Sequence, residues 1–232
     1  MQHSGHRAKR IDLSGRIESL LENKKARYYI EAADRYLETI GYTEHGFRHC
    51  SIVSRTAWKI LKELGYPEDR AIVAAAAGFL HDIGNMLGRK EHHKMGALLA
   101  KEILEETGFS LEETTRIMTA IVIHEESEGA IPDEISAALL IADKSDVHRS
   151  RVRNPSMVSK DIHDRVNYAA TESELTVDRE GRLITLSLVI DTRISPVIEY
   201  FEIFLSRMTA CRQAAEVLET EFHLLINNTR MA

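Results

Sequence analysis

The sequence is poor in residues that cross-link or interrupt a chain. Its 232 residues include 2 Cys, 4 Pro and 12 Gly. Little Pro and Gly indicates few loops and a mostly helical chain, because these are the two residues least compatible with a helix interior. Cys50 and Cys211 lie far apart and match no metal-ligand spacing. This excludes a disulfide framework and predicts buried thiols in a reducing compartment.

Long apolar runs and an excess of positive charge are also missing. No apolar stretch reaches the roughly 18 residues needed to span a membrane. Residues 1–10 are polar and basic, without the apolar core of a secretory signal. The formal net charge of -6 gives no support for binding a nucleic acid polymer. We therefore expect a cytoplasmic protein that acts on neither membranes nor nucleic acid polymers, with residues 1–13 forming a flexible N-terminus.

What the sequence does contain is a series of apolar patterns with helical periodicity. They predict helices over residues 14–40, 45–64, 68–83 and 91–107, then from a capping box of Ser110 and Glu113 to His124, and from Pro132 onwards. Residues 71–77 are apolar on every side, so the helix over 68–83 belongs at the centre of the domain. Gly84 follows as a predicted helix stop.

The central helix ends in the ionisable pair His81-Asp82, and four other segments direct a polar group inwards. His49, His124 and Asp143 each lie in register with apolar residues of their own helix. In the helix over 91–107, His92 and His93 lie on neighbouring apolar stripes, and geometry alone does not decide between them. Burying several imidazoles and carboxylates is costly unless they share a cation. The pattern therefore predicts a metal site.

The order His49, then His81-Asp82, then Asp143 resembles the signature of the HD-domain metal-dependent phosphohydrolases over about residues 45–150. The resemblance implies an all-α HD-domain helical bundle, which we place at residues 14–155. His92 and His124 resemble the additional ligands of the branch that contains HD-GYP domains and bacterial dinucleoside polyphosphate hydrolases. The metal ligands implied are His49, His81, Asp82, His92, His124 and Asp143.

The chemistry of this ligand set fits the resemblance. Six ligands exceed the need of one tetrahedral metal and suit one or two divalent ions, with Fe, Mn, Co and Zn not distinguished. Asp82 is the expected bridge and a catalytic residue, because a carboxylate has two oxygens to share. We expect a metal-dependent phosphohydrolase that uses a metal-activated water on a nucleotide or other small phosphorylated molecule. The alternative is a nucleotide-sensing regulatory module without significant turnover.

Basic residues follow Asp143, among them Lys144, Arg149 and Arg151. Such a run is either a solvated face or the binding site for the substrate phosphates, to which Arg gives bidentate contacts. Asp146, the second predicted catalytic residue, either acts as a base behind the metal ligands or pairs with one of these cations.

The C-terminal part, residues 156–232, has a different pattern. Alternating apolar residues up to Ile190 predict a β-hairpin whose turn, Asp178 to Gly181, places Gly in a left-handed conformation. From Ser195 a long helix is predicted, with a regular apolar seam from Val197 to Leu225. The seam favours a homodimer, or else packing inside the chain against its first helix.

Overall fold

The computed structural model describes residues 13–125 and 129–231 of the chain. Helices dominate its first two thirds, and the predicted helical class is confirmed. They are α1 (Leu13–Leu21), α2 (Lys24–Thr39), α3 (Phe47–Leu64), α4 (Glu68–Leu80), α5 (His92–Glu106), α6 (Leu111–Ile123) and α7 (Glu134–Ser145). Short 3-10 helices span Ile83–Leu87, Arg149–Arg151 and Pro155–Met157. The remainder comprises α8 (Ile162–Ala169), β1 (Ala170–Asp178), β2 (Leu183–Ile190), α9 (Val197–Val217), β3 (Glu221–Ile226) and β4 (Thr229–Arg230).

The pair α3 and α4 forms the centre of the helical part. Every residue of α4 from Ala71 to Leu80 is buried, as its apolar sequence predicts. A Cβ atom at Gly78 would lie 2.9 Å from the Cα and N of Ser54, so only glycine lets the two backbones come this close. This close approach brings the end of α4 beside α3.

Gly84 does not have the role that the sequence predicted for it. Helix α4 ends at Leu80, and the 3-10 helix Ile83–Leu87 continues the chain beyond Gly84. A Cβ atom at Gly84 would lie 1.9 Å from the carbonyl oxygen of His92 and 2.4 Å from the amide nitrogen of Gly96. Gly84 is therefore required where α5 crosses the 3-10 helix, and the prediction of a helix stop there was wrong.

The predicted first helix is two helices. Asn23 separates α1 from α2, and its side chain accepts hydrogen bonds from the amides of Lys25 and Ala26, as an N-cap does. The capping box of Ser110 and Glu113 is confirmed at the start of α6. Glu113 also binds Arg16 of α1 at 2.8 Å, which attaches α1 to α6.

The C-terminal sheet is larger than the predicted hairpin. β1 and β2 pair antiparallel, β3 joins β2 in parallel, and β4 pairs antiparallel with β3. Ile184, Leu186 and Leu188 alternate into the core as predicted. In the hairpin turn, Arg182 has the positive φ of 49° and Gly181 does not, so the predicted left-handed glycine was wrong.

The long C-terminal helix is shorter than predicted, and its seam is already covered. Helix α9 stops at Val217, and β3 follows from Glu221, after a left-handed residue at Glu219. The seam residues Phe204 and Met208 are 2% and 5% exposed, because α9 packs on α7, α8 and β3. A partner helix has no access to this seam, so it no longer supports a homodimer, and the first helix is not its partner. The homodimer itself stays a prediction.

One hydrophobic core runs through the described residues from Leu20 of α1 to Ile226 of β3. Among the residues described, no single helix is long and apolar enough to cross a membrane. A pair bent by 116°, Glu68–Leu87 with His92–Glu106, meets that requirement by length and composition alone.

Candidate metal centre

Two pairs of buried histidines face each other at the centre of the helical part. His49 comes from α3 and His81 directly follows α4, and their Nε2 atoms lie 3.3 Å apart. His92 opens α5 and His124 directly follows α6, and their Nε2 atoms also lie 3.3 Å apart. All four residues are at most 2% exposed. Each pair brings together residues 32 positions apart in the sequence.

Asp82 lies between the two pairs. Its Oδ2 is 3.3 Å from Nε2 of His81 and 3.8 Å from Nε2 of His49. Its Oδ1 is 3.5 Å from Nε2 of His92 and 3.9 Å from Nε2 of His124. Each oxygen of the Asp82 carboxylate therefore faces a different histidine pair.

Asp143 of α7 lies beside the pair formed by His49 and His81. Its Oδ1 is 3.2 Å from Nε2 of His49 and 3.6 Å from Nε2 of His81. The structure thus brings all six residues predicted as ligands into one buried cluster, and it directs His92, not His93, at His124. His93 lies beside His92 and forms a separate group of donor atoms with His92 and Glu125.

The hydrogen-bond partners of the four rings fit a cation within this cluster. The other ring nitrogen, Nδ1, faces an acceptor in each case. The acceptors are the carbonyls of Gly78 for His81, Ile121 for His124 and Arg89 for His92, and the carboxylate of Asp146 for His49. A neutral imidazole has only one N–H, so Nδ1 donates it and the Nε2 lone pairs face each other. Facing lone pairs beside two carboxylates are unfavourable unless a positive charge lies among them.

The pKa values of the histidines also indicate that the cluster needs a positive charge. Burial lowers the pKa of His81, but the carboxylates of Asp82 and Asp143 outweigh burial and raise it to about 10. Burial lowers the pKa of His92 to about 4 and keeps the pKa of His124 well below its ordinary value. Without a metal, the cluster therefore holds a proton on His81 as its cation.

Asp146 lies behind His49, on the side away from the cluster. It accepts from Nδ1 of His49 at 2.7 Å and from Nη2 of Arg48 at 2.9 Å. Burial raises the pKa of Asp146, but His49, Arg151 and Arg48 outweigh burial and keep it well below its usual value. Asp146 is therefore an ionised group that orients His49 and pairs with arginines, as one of the two sequence interpretations had it. The role of Asp146 as a base stays a prediction.

Comparison with known proteins agrees with this geometry. The HD domain model matches residues 46–151, which contain all six clustered residues. Uncharacterized protein MJ1020 of Methanocaldococcus jannaschii is 30% identical, with 71% of each chain covered. The chain belongs to the HD-domain family. HD domains bind divalent metals and generally act as metal-dependent hydrolases, and the matched range contains the His81-Asp82 pair.

A cavity of about 420 Å³ is lined by residues that contact the cluster and by none of its six members. Its lining includes His45, whose ring centroid is 5.3 Å from that of His49, and Arg89, whose Nη1 is 2.9 Å from Nε2 of His92. The Arg89 guanidinium points at Nε2 of His92, so it would have to move away for a metal to bind there. Neither residue was predicted from the sequence, although His45 stands four positions before His49 and Arg89 three before His92.

Of the three basic residues predicted to bind phosphate, only Arg151 lines this cavity. Lys144 donates from Nζ to Oδ2 of Asp143 at 2.8 Å and is 7% exposed. The guanidinium of Arg149 lies 5.3 Å from the ring centroid of Tyr168. Lys144 thus supports a predicted metal ligand, and Arg149 has no place in the cavity lining.

Proposed function

We propose that this HD-domain protein is a metal-dependent phosphohydrolase that cleaves a phosphate ester or anhydride of a small phosphorylated molecule, such as a nucleotide. The observation that carries the proposal is Asp82, whose two oxygens face two separate pairs of imidazole Nε2 atoms. This arrangement suits two divalent cations that share one carboxylate.

The residues divide into two groups around this shared carboxylate. His49, His81 and Asp143 would hold one cation with Asp82, and His92 and His124 would hold the other. When bound, such cations lower the pKa of a coordinated water and neutralise charge on phosphoryl oxygens. The ligand set does not distinguish Fe, Mn, Co and Zn, because imidazole and carboxylate suit all four.

The residues around the cluster orient Asp82 and favour the binding of a phosphorylated substrate. Asn85 donates from Nδ2 to Oδ1 of Asp82 at 2.9 Å and so fixes the orientation of the shared carboxylate. Arg89 and Arg151 line the adjoining cavity, where their guanidinium groups favour a phosphate over a neutral ligand. Burial of the cluster limits access of bulk water and strengthens these electrostatic contacts.

The test compares Asp82→Asn with Glu174→Gln, a matched carboxylate-to-amide change at an exposed position of β1 outside the cavity lining. Elemental analysis of protein purified without chelator should show close to two metals per chain in the wild type and in Glu174→Gln. Both should hydrolyse p-nitrophenyl phosphate and members of a nucleotide panel. Asp82→Asn should lose metal and turnover together.

Two results would contradict the proposal. An Asp82→Asn protein with full metal content and turnover would remove Asp82 from the site. A wild-type protein that binds metal and nucleotides but hydrolyses nothing in the panel would favour the nucleotide-sensing module.

A further inference from the structure

Part of the cavity wall comes from a segment beyond the HD-domain match. The match ends at residue 151, whereas Asp164 and Asn167, both on α8, line the same cavity as Arg89 and Arg151. The cavity therefore joins cationic groups next to the metal ligands with acidic and amide groups from α8. A ligand bound there meets both hydrogen-bond donors and acceptors in the lining.

Asn167 contributes a buried acceptor without a partner. The residue is 5% exposed, and its Nδ2 donates to the carbonyl of His163 at 2.8 Å, which fixes the orientation of the amide. The remaining Oδ1 accepts no hydrogen bond within residues 13–125 and 129–231. A buried acceptor left unpaired is unfavourable, so the site gains when a ligand brings a donor.

Arg151 contributes the complementary donor. It is 5% exposed, and its Nη1 and Nε donate to the carbonyls of Asp146 and Glu44 at 2.9 and 3.2 Å. Its Nη2 has no hydrogen-bond partner in the part of the chain that the structure describes. An anionic oxygen is the acceptor that suits a guanidinium N–H best.

Asp164 adds a second acceptor next to Asn167. The two residues are three positions apart on α8 and so share a face of the helix. Across the described ranges, the Asp164 carboxylate accepts no hydrogen bond. Burial and the neighbouring Asp161 raise the pKa of Asp164, so a ligand N–H that stabilises its charge would relieve an unfavourable environment.

We propose that Asp164 and Asn167 determine specificity by selecting phosphate esters whose other end presents adjacent N–H donors, as the guanine of a mononucleotide does. This inference rests on the proposed function for the phosphate end. Guanine offers a ring N–H beside an amino group, which a carboxylate accepts as a bidentate pair. Adenine and cytosine place an unprotonated ring nitrogen beside the amino group, and a carboxylate repels it. The cavity of about 420 Å³ lies towards the small end of ligand sites, roughly 300–1,000 Å³, which suits a mononucleotide.

The experiment measures binding apart from hydrolysis. Dissociation constants for non-hydrolysable phosphonate analogues of GMP, IMP and AMP are determined by calorimetry on the metal-loaded wild-type chain. GMP should bind at least tenfold tighter than AMP, with IMP between them because it lacks the amino group. Adding Asp164→Asn should remove the preference and strengthen AMP binding, because an amide offers a donor to the unprotonated ring nitrogen. Adding Asn167→Leu should weaken GMP several-fold more than AMP, and adding Glu174→Gln should preserve the ratio.

The outcomes separate the two proposals. Equal binding of GMP and AMP by the parent protein, or an unchanged ratio in a folded Asp164→Asn protein, would overturn the specificity proposal. Asp164 is only partly buried, so this variant tests the idea even if Asn167→Leu fails to fold. A clear GMP preference in a protein that never hydrolyses p-nitrophenyl phosphate would instead uphold recognition and refute the phosphohydrolase.

Discussion

Gly84→Ala tests how the crossing of two backbones sets the metal site. The added Cβ would lie 1.9 Å from the carbonyl oxygen of His92, whereas real Cβ contacts are essentially never shorter than 3.0 Å. The start of α5 must therefore retreat by about 1 Å. Because the obstacles are backbone atoms, the cost should reach the upper part of the overpacking range, about 3 kcal/mol. For a chain of this size that lowers the Tm by roughly 6–12 °C.

The same displacement moves a predicted metal ligand. Metal–ligand distances tolerate only about 0.2 Å, so a shift of His92 by about 1 Å should empty the group that contains it. Elemental analysis should then show one metal per chain in Gly84→Ala where the wild type holds two.

Gly15→Ala is the matched control for this substitution. Gly15 lies inside α1 and a Cβ atom there would meet nothing within 4 Å, so alanine should stabilise the helix by about 0.5 kcal/mol. Thermal unfolding followed by circular dichroism compares the two variants. A Gly84→Ala protein with wild-type Tm and two metals would refute the reasoning.

Two further predictions concern the histidines of the first group. Asp146→Asn should weaken metal affinity about 10–100-fold, because a neutral amide orients His49 less strongly than the carboxylate does. Turnover should return at saturating metal, and a failure to return would make Asp146 a proton-transfer base. Separately, His81 has a pKa of about 10 without metal, so it is protonated at pH 7.5 and must release one proton per chain on metal binding. Calorimetric metal titrations in two buffers of different ionisation enthalpy would show this proton, and identical heats would contradict it. Because this folded-state pKa is raised, its contribution to apo-protein stability is complete below about pH 6.5 and is lost as the pH rises through about 10.

Four of the predicted ligands, His49, His92, His124 and Asp143, could be found from the sequence because each lies in register with apolar residues of its predicted helix. A buried stripe fixes which way a helix faces, so His49 and Asp143 had to point inwards. The choice of His92 over His93 could not be made this way, since both are buried, at 2% and 4% exposure. The position of His92 is set by the backbone crossing at Gly84. This crossing joins atoms that the sequence pattern does not relate.

The predicted ends of helices were wrong where a single residue outweighed a periodic apolar pattern. Asn23 offers its side chain to two amides and splits a stripe that is otherwise continuous across α1 and α2. In α9 the apolar spacing continues past Val217, but Phe222 lies on a strand, where the period of two also places it in the core. A pattern of apolar residues therefore indicates burial more reliably than it indicates the type of element.

The C-terminal part supports the site through α7, the helix that carries Asp143. Helix α9 packs on α7, and Ser173 of β1 donates from Oγ to the carbonyl of Ser145 at 2.7 Å, at the last residue of α7. Lys59 of α3 donates from Nζ to the carbonyl of Leu175 at 2.8 Å, so β1 also contacts the helix of His49. The segment beyond the family match thus supports two helices of the cluster from behind, while α8 lines the cavity in front. On the two proposals above, the shared HD-domain core would gain its specificity in this way, from elements attached to the helices that carry the predicted ligands.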